Sequence, residues 1–132
     1  MTDIPQIFRI TIHVANVEEA AHFYSVLLGT AGRSIRGSRH YLDCGSVILA
    51  LLAPGEGAAR PNRDDIYFSV KVLNSVHARA TSLGCLAEGM VHDEPAGSIA
   101  LRPWGERSFY AVDPYGNALC FVEAGTEFTG RR

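Results

Sequence analysis

RITIHVANVEEAAHFYSVLLG (Arg9–Gly29) is the stretch whose reading decides the fold, and DIYFSVKVLNSVHARATSLG (Asp65–Gly84) repeats its pattern. Arg9-Ile10-Thr11-Ile12-His13-Val14 lies over Asp65-Ile66-Tyr67-Phe68-Ser69-Val70 at an offset of 56 residues. The offset slips to 55 where Leu28-Gly29 meets Leu83-Gly84. Each copy alternates apolar and polar residues at period 2, as a half-buried strand does. It then changes to the 3.6 period of a helix and stops at a glycine. In the first copy Asn16 is placed to cap the helix and Glu19 completes a capping box, worth about 1 kcal/mol. Val17, Ala20, Ala21, Tyr24, Leu27 and Leu28 form an apolar stripe, and Gly29 supplies the left-handed stop. The second copy is weaker, with Asn74 as cap, Val76, Ala80 and Leu83 as stripe, and Gly84 as stop.

Working outward, strand-like runs follow each helix. Arg39–Asp43 and Val47–Leu52 come after the first, joined by the turn Asp43-Cys44-Gly45-Ser46. Ile99–Arg102, Phe109–Val112 and Ala118–Glu123 come after the second, with Asp113-Pro114-Tyr115-Gly116-Asn117 as the turn between the last two. Residues 54–64, rich in Pro, Gly and Arg, read as a linker. The chain is thus one domain of two modules, about 7–53 and 65–124, with a C-terminal tail at 125–132. Each module runs strand–helix–strands.

Composition bounds the function. With 132 residues, 47% hydrophobic and 20% charged, the chain is too apolar to be disordered and too short for two full-sized domains. A net charge of −2 offers no basic field for nucleic acid and no polybasic membrane anchor. No run reaches the ~18 apolar residues of a membrane span. Met1-Thr2-Asp3-Ile4-Pro5 lacks the basic and apolar start of a signal peptide. Cys44, Cys85 and Cys120 are odd in number and lack CxxC spacing, which argues against a disulfide framework or a zinc ribbon. The expectation is a reduced, cytoplasmic protein without nucleic-acid or membrane partners.

Strand alternation then assigns faces. Phe8, Ile10, Ile12 and Val14 point under the first helix, leaving Arg9, Thr11 and His13 opposite. Ile66, Phe68, Val70 and Val72 point under the second helix, leaving Asp65, Tyr67, Ser69 and Lys71 opposite. In the last strand Leu119 and Phe121 read as core, while Ala118, Cys120 and Val122 share the second face. A mixed polar and aromatic second face suggests a concave ligand surface; the competing reading is a solvated sheet face.

Ile12–Gly29 resembles the opening of a glyoxalase/bleomycin-resistance/dioxygenase module. Arg102–Glu123, with Pro-Trp-Gly-Glu-Arg-Ser-Phe-Tyr and Asp-Pro-Tyr-Gly-Asn-Ala-Leu-Cys-Phe-Val-Glu, resembles the closing strands of the bleomycin-resistance branch. The resemblance covers roughly residues 7–124. It implies the vicinal oxygen chelate architecture: an α+β fold of two βαβββ modules forming a cupped, mixed eight-stranded sheet with helices on the outer face. It also implies a homodimer with ligands in the cups. The superfamily's metal enzymes place His or Glu at four cup positions. Carried over, these fall at Arg9, within Ile48–Leu51 at Ala50, at Asp65 and at Cys120. Only Asp65 is an ordinary hard-metal ligand; Cys120 suits a softer ion. A guanidinium about 4 Å from a dication costs roughly 8 kcal/mol at an effective dielectric of 20, so the usual metal site is expected to be absent. Instead Arg9 and Asp65, equivalent in the two halves, are expected to form an ion pair.

The residues singled out for ligand binding are Arg9, Thr11, His13, Asp65, Tyr67, Trp104, Tyr110 and Cys120. No catalytic or metal-binding residue is assigned, and no cofactor is expected, a divalent metal being the alternative. Two readings fit Trp104: a core or interface anchor, or an aromatic wall for flat ligands. Cys120 reads as a buried filler, or as a reactive thiolate if a cation lies nearby. His22 sits at an exposed helix position and His40 has no assignable face. His92-Asp93-Glu94 reads as a solvated loop before Pro95. Three functions compete. One is a metal-free protein binding a small organic molecule, aromatic or cationic, as bleomycin-resistance proteins do. Another is a metal-dependent lyase, isomerase or dioxygenase drawing on His13, His40 and Glu123. The third is a structural or regulatory dimer with a vestigial cup.

Overall fold

The computed structural model describes residues 3–55, 57 and 59–131. Met1 and Thr2 of the N-terminal reading, Glu56 and Ala58 of the expected linker and Arg132 of the expected tail lie outside them. The chain divides into two compact units, Met1–Pro61 and Asn62–Arg132.

The first unit runs β1 (Arg9–His13), α1 (Val17–Leu28), β2 (Arg33–Ile35), β3 (Arg39–Cys44) and β4 (Val47–Leu52). Its sheet has the order β1-β4-β3-β2, with β1 parallel to β4 and the other pairs antiparallel. Helix α1 starts where expected: Asn16 Oδ1 accepts the Glu19 N–H at 3.0 Å. It also stops where expected, at Gly29 with φ 73°. Its buried face is Ala20, Phe23, Tyr24 and Leu27, rotated towards Phe23 from the expected stripe and leaving Val17, Ala21 and Leu28 half-buried. The helix rests on β3 and β4 over Leu42, Leu49 and Leu51. The beginning of the edge strand β1 is therefore not under it. Phe8 (61%) and Ile10 (38%) are exposed, contrary to the expectation from alternation, and only Ile12 and Val14 join the core. Strand β2 was not legible, since three residues show no period; the Arg33–Asp43 ion pair (2.9 Å) fastens it to β3.

The second unit runs β5 (Ile66–Val70), α2 (Leu73–Leu83), β6 (Met90–Val91), β7 (Glu94–Pro95), β8 (Ala100–Leu101), β9 (Arg107–Val112) and β10 (Ala118–Glu123). Its main sheet, β5-β10-β9-β8, repeats the topology of the first, with β5 parallel to β10. The duplicated pattern therefore encodes two βαβββ modules, each a mixed four-stranded sheet with its helix on one face, an α+β fold. On the helix face the register aligns Phe68, Phe121 and Phe109, whose rings stack at 5.0 and 5.3 Å.

Two details differ from expectation. Helix α2 begins two residues earlier, with Val72 at its N-cap and no side-chain cap bond. Asn74 lies in the first turn and accepts from Arg107 Nη2 at 3.2 Å, and Val72, expected under the helix, is exposed. The expected strand at 99–102 shrinks to Ala100–Leu101. The rest of β9's outer edge is paired by the preceding segment, through Ala87 N–H to Tyr110 O (3.0 Å) and Tyr110 N–H to Ala96 O (2.9 Å). Between those two pairings the chain makes the hairpin β6–β7. Its central residues His92 (φ 48°) and Asp93 (φ 65°) are left-handed, as a type I′ turn requires. The turn 113–117 is as read: Asp113 Oδ1 accepts the N–H groups of Tyr115 and Asn117, both at 2.8 Å. Among the described residues no helix is long and apolar enough to cross a membrane.

Candidate ligand pocket in the second module

The face of the second sheet away from α2 is laid out by register. Cys120 pairs with Tyr67 on one side and Tyr110 on the other, and Val122 with Ser69 and Ser108. At one end of this face lies a cavity of about 570 Å³, a size suited to a small organic ligand. Three aromatic side chains wall it: Tyr67 on β5, Trp104 in the turn between β8 and β9, and Phe128 beyond β10. Buried Val122 lies at its base. The rings of Tyr67 (58% exposed) and Phe128 (49%) present faces that a ligand can cover.

Two carboxylates complete the pocket. Glu106 is only 7% exposed; its Oε1 accepts from Trp104 Nε1 and its Oε2 from the Phe128 N–H, both at 2.8 Å. Glu127 accepts from the Ser69 hydroxyl at 2.6 Å and from the Gly125 N–H at 2.7 Å, and these bonds hold its carboxyl below the usual range. The turn is tight, with Arg102 N–H donating to Glu106 O at 2.7 Å, which fixes where Trp104 and Glu106 project. His92, at the hairpin tip, meets the Trp104 ring edge to face at 5.2 Å. The His92-Asp93-Glu94 segment is thus a hairpin turn braced on the pocket wall.

Deeper on the same face the sheet is covered. Ala87, Val91 and Ala96 pack on Tyr110, Cys120 and Val122. Arg102, 2% exposed, lies over the Tyr110 ring (5.1 Å) and donates to Ser108 Oγ, Ser108 O and Ser98 O. Its Nη1 is buried without a hydrogen-bond partner among the described residues. Burial pushes the Tyr110 hydroxyl well above its usual range and the Cys120 thiol up to about 12. Cys85 is likewise pushed up to about 11 by burial. At pH 8 iodoacetamide is therefore expected to label half-buried Cys44 first, leaving Cys85 and Cys120 unmodified until the protein is denatured. Peptide mapping of the alkylated protein checks this; Cys120 labelled as fast as Cys44 would show an accessible thiolate. The folded protein also holds these two thiol protons to higher pH than the unfolded chain. Their contribution to stability is full below about pH 9 and is lost as pH rises through 11 to 12.

Of the residues singled out from sequence, Tyr67 and Trp104 meet in the pocket, and Tyr110 and Cys120 form the buried cluster behind it. Asp65 is half-buried, and its carboxyl is raised by burial and then by Asp64. Arg9, Thr11 and His13 belong to the first unit. Arg9 is exposed, its guanidinium over Phe8 (5.0 Å) and Tyr41 (5.6 Å). Thr11 is exposed, and His13 Nδ1 accepts the Arg60 N–H at 3.1 Å. His40 bonds the Ala31 carbonyl at 2.9 Å and shares the helix side of its sheet with Leu51. Glu123 lies on the helix side of the second sheet, paired with Arg107 at 2.6 Å. Ser69, Glu106, Glu127 and Phe128 were missed; their one legible signal was Trp104 and Glu106 two residues apart in a tight turn.

The four positions singled out through the resemblance carry few metal donors. A catalytic site uses about three protein donors. Ala50 has none and Arg9 is a cation, which leaves only Asp65 and Cys120. The face that carries Cys120 also buries the guanidinium of Arg102, whose Nη1 has no hydrogen-bond partner among the described residues. Among the described residues no group of three or more His, Cys, Asp or Glu is placed to hold an ion.

The two βαβββ modules have the fold seen in solved structures of glyoxalase-like proteins. Among solved structures, the chain is similar to a glyoxalase/bleomycin resistance protein from Albidiferax ferrireducens T118, at TM-score 0.69 and 21% identity over 89% of this chain and 97% of that one. It is also similar to a glyoxalase-related enzyme from Fulvimarina pelagi (TM-score 0.68, 20% identity, 91% and 88% covered). The oxidase ChaP-H1 gives TM-score 0.71 and 20% identity, with 91% and 96% covered. At these identities the likeness is one of fold. No family model and no curated protein matches the sequence.

Proposed function

We propose that the protein is a bleomycin-resistance-like binder of a small, flat organic cation, held in the second-module pocket without a resident metal. The observation that carries this reading is the convergence of three aromatic side chains and two carboxylates on one cavity of about 570 Å³. Aromatic faces attract a cation through the ring quadrupole, and a carboxylate in a partly dry wall adds to the attraction. The net charge of −2 is modest, which favours a singly charged aromatic over a strongly cationic drug such as bleomycin. Against the metal-dependent alternative, the residues at the ligand-equivalent positions supply two donors. Of the substitutes it would need, His13 accepts the Arg60 N–H, and His40 and Glu123 are engaged on the helix sides of their sheets. On the same reading the protein acts as a cytoplasmic homodimer with no nucleic-acid or membrane partner.

The test is titration with N-methylquinolinium and with 1-methylnaphthalene, its neutral isostere, followed by the fluorescence of Trp104, the single tryptophan. The cation is expected to bind at least about tenfold more tightly than the isostere. Equal affinities, or no quenching by the cation at millimolar concentration, would overturn the reading. Elemental analysis of the same material, purified without chelator, is expected to find metal far below one ion per chain. Near-stoichiometric Zn, Ni, Mn or Fe would return the metal-dependent alternative.

A further inference from the structure

The third aromatic wall of the pocket comes from neither a strand nor a turn of the module but from the segment 124–128 that follows β10. That segment is tied down at several points. Thr126 Oγ1 donates to Glu123 O at 2.7 Å and accepts the Arg107 N–H at 3.2 Å, and Glu127 bridges Ser69 and Gly125. Gly125, at φ 97°, turns the chain out of β10 through a conformation that other residues rarely adopt. Glu127 is fully exposed to solvent, where such bonds are worth little. The tie of a different kind is the Phe128 N–H to Glu106, whose carboxylate is buried and at the same time holds the Trp104 indole.

We propose that Glu106 is the positioning residue of the pocket and that 124–128 is a strap which it latches beside the ligand's seat. This rests on the second-module pocket being the binding site. The chemistry is specific to a carboxylate. Two N–H donors converge on Glu106, one from its own turn and one from the segment after β10, so the side chain must offer an acceptor to each. Glutamine offers one oxygen and one NH₂ group; whichever way its amide turns, a donor faces a donor. Aspartate has one methylene fewer with which to span the same two donors. Glu106 therefore couples Trp104 to Phe128, and releasing the strap removes one wall while the sheet stays intact.

The experiment uses Glu106→Gln and a deletion of residues 125–132, each read by hydrogen exchange at the Phe128 amide (where that residue remains) and by affinity for both probes. Glu106→Gln is expected to speed exchange at Phe128 by about tenfold or more and to weaken the neutral 1-methylnaphthalene by about tenfold. N-methylquinolinium is expected to weaken at least as much. The deletion, which leaves Glu106 and its turn in place but removes Glu127 together with Phe128, is expected to weaken both probes, the cation at least as much as the neutral one. It also serves as the test if Glu106→Gln fails to fold. Unchanged exchange at Phe128 in Glu106→Gln would overturn the latch. A loss confined to the cationic probe in both variants would show that the segment and Glu106 act through charge alone, which also overturns it. If neither probe binds the unaltered protein, the pocket reading fails, while Phe128 exchange still decides the latch.

Discussion

Phe121→Ala is expected to destabilise the protein by about 3–5 kcal/mol, the largest effect of any single truncation in the second unit. The side chain is fully buried on the helix face of β10. Its ring stacks between Phe68 (5.0 Å, 17° between planes) and Phe109 (5.3 Å, 20°). Phe109 is in turn met edge-on by His77 of α2 at 4.8 Å. Truncation thus opens a hole in the middle of three strands and a helix, where neither neighbour can close in without breaking the β5–β10–β9 register. Aromatic pairs add about 0.5–1.5 kcal/mol beyond area alone, so both stacked contacts are lost with the ring. Urea unfolding followed by far-UV circular dichroism measures the change, with Phe121→Leu as a volume-conserving comparison expected to cost under about 1.5 kcal/mol. A loss below about 1 kcal/mol for the alanine variant would mean that the ladder does not carry this layer. The consequence reaches the pocket, because Val122, the next residue on β10, is at its base.

Two rungs of the ladder were legible in the sequence, because alternation put Phe68 under the helix and Phe121 in the core; Phe109 had no assigned face. The same local rules gave the strand–helix–strands order, the cap at Asn16 and the stops at Gly29 and Gly84. What they missed had a tertiary cause. Alternation assigns a side chain to a face but not what covers that face, so Phe8 and Ile10 read as core although α1 lies over β3 and β4 instead. The hairpin β6–β7 carries no Asn-Gly or Asp-Gly signal. His92 and Asp93 take left-handed conformations that cost more than glycine would, while His92 leans on Trp104. That hairpin and its flanks cover Tyr110 and Cys120; alternation placed Cys120 on that face but left it open. In the pocket, Tyr67 could be read from strand alternation, and Trp104 from the resemblance carried by its loop. Glu106 could not: a glutamate between Gly105 and Arg107 reads as surface charge until the Phe128 N–H, from a distant segment, joins the Trp104 indole on it.

Trp104→Ala is the matching prediction for binding: the dissociation constant for N-methylquinolinium is expected to rise roughly 30-fold or more, the change of ~2 kcal/mol typical of a buried aromatic anchor. Trp104 is the pocket wall held from the most directions. Its indole N–H is fixed by buried Glu106 at 2.8 Å, its ring is braced by His92 at 5.2 Å, and its backbone lies in the tight 102–106 turn. A ring so held is already in place when the ligand arrives, so little of the stacking energy is spent on ordering it. Trp104→Phe separates the two contributions. It keeps an aromatic face but removes the N–H, leaving Glu106 Oε1 without that donor, so an intermediate loss of about 3–10-fold is expected. Because the variants lack the protein's only tryptophan, calorimetry or ligand-induced Tm shift replaces fluorescence as the readout. An unaltered affinity in Trp104→Ala would place the ligand elsewhere. A full loss in Trp104→Phe, with the fold intact, would mean that the indole N–H and its bond to Glu106 matter more than the aromatic surface.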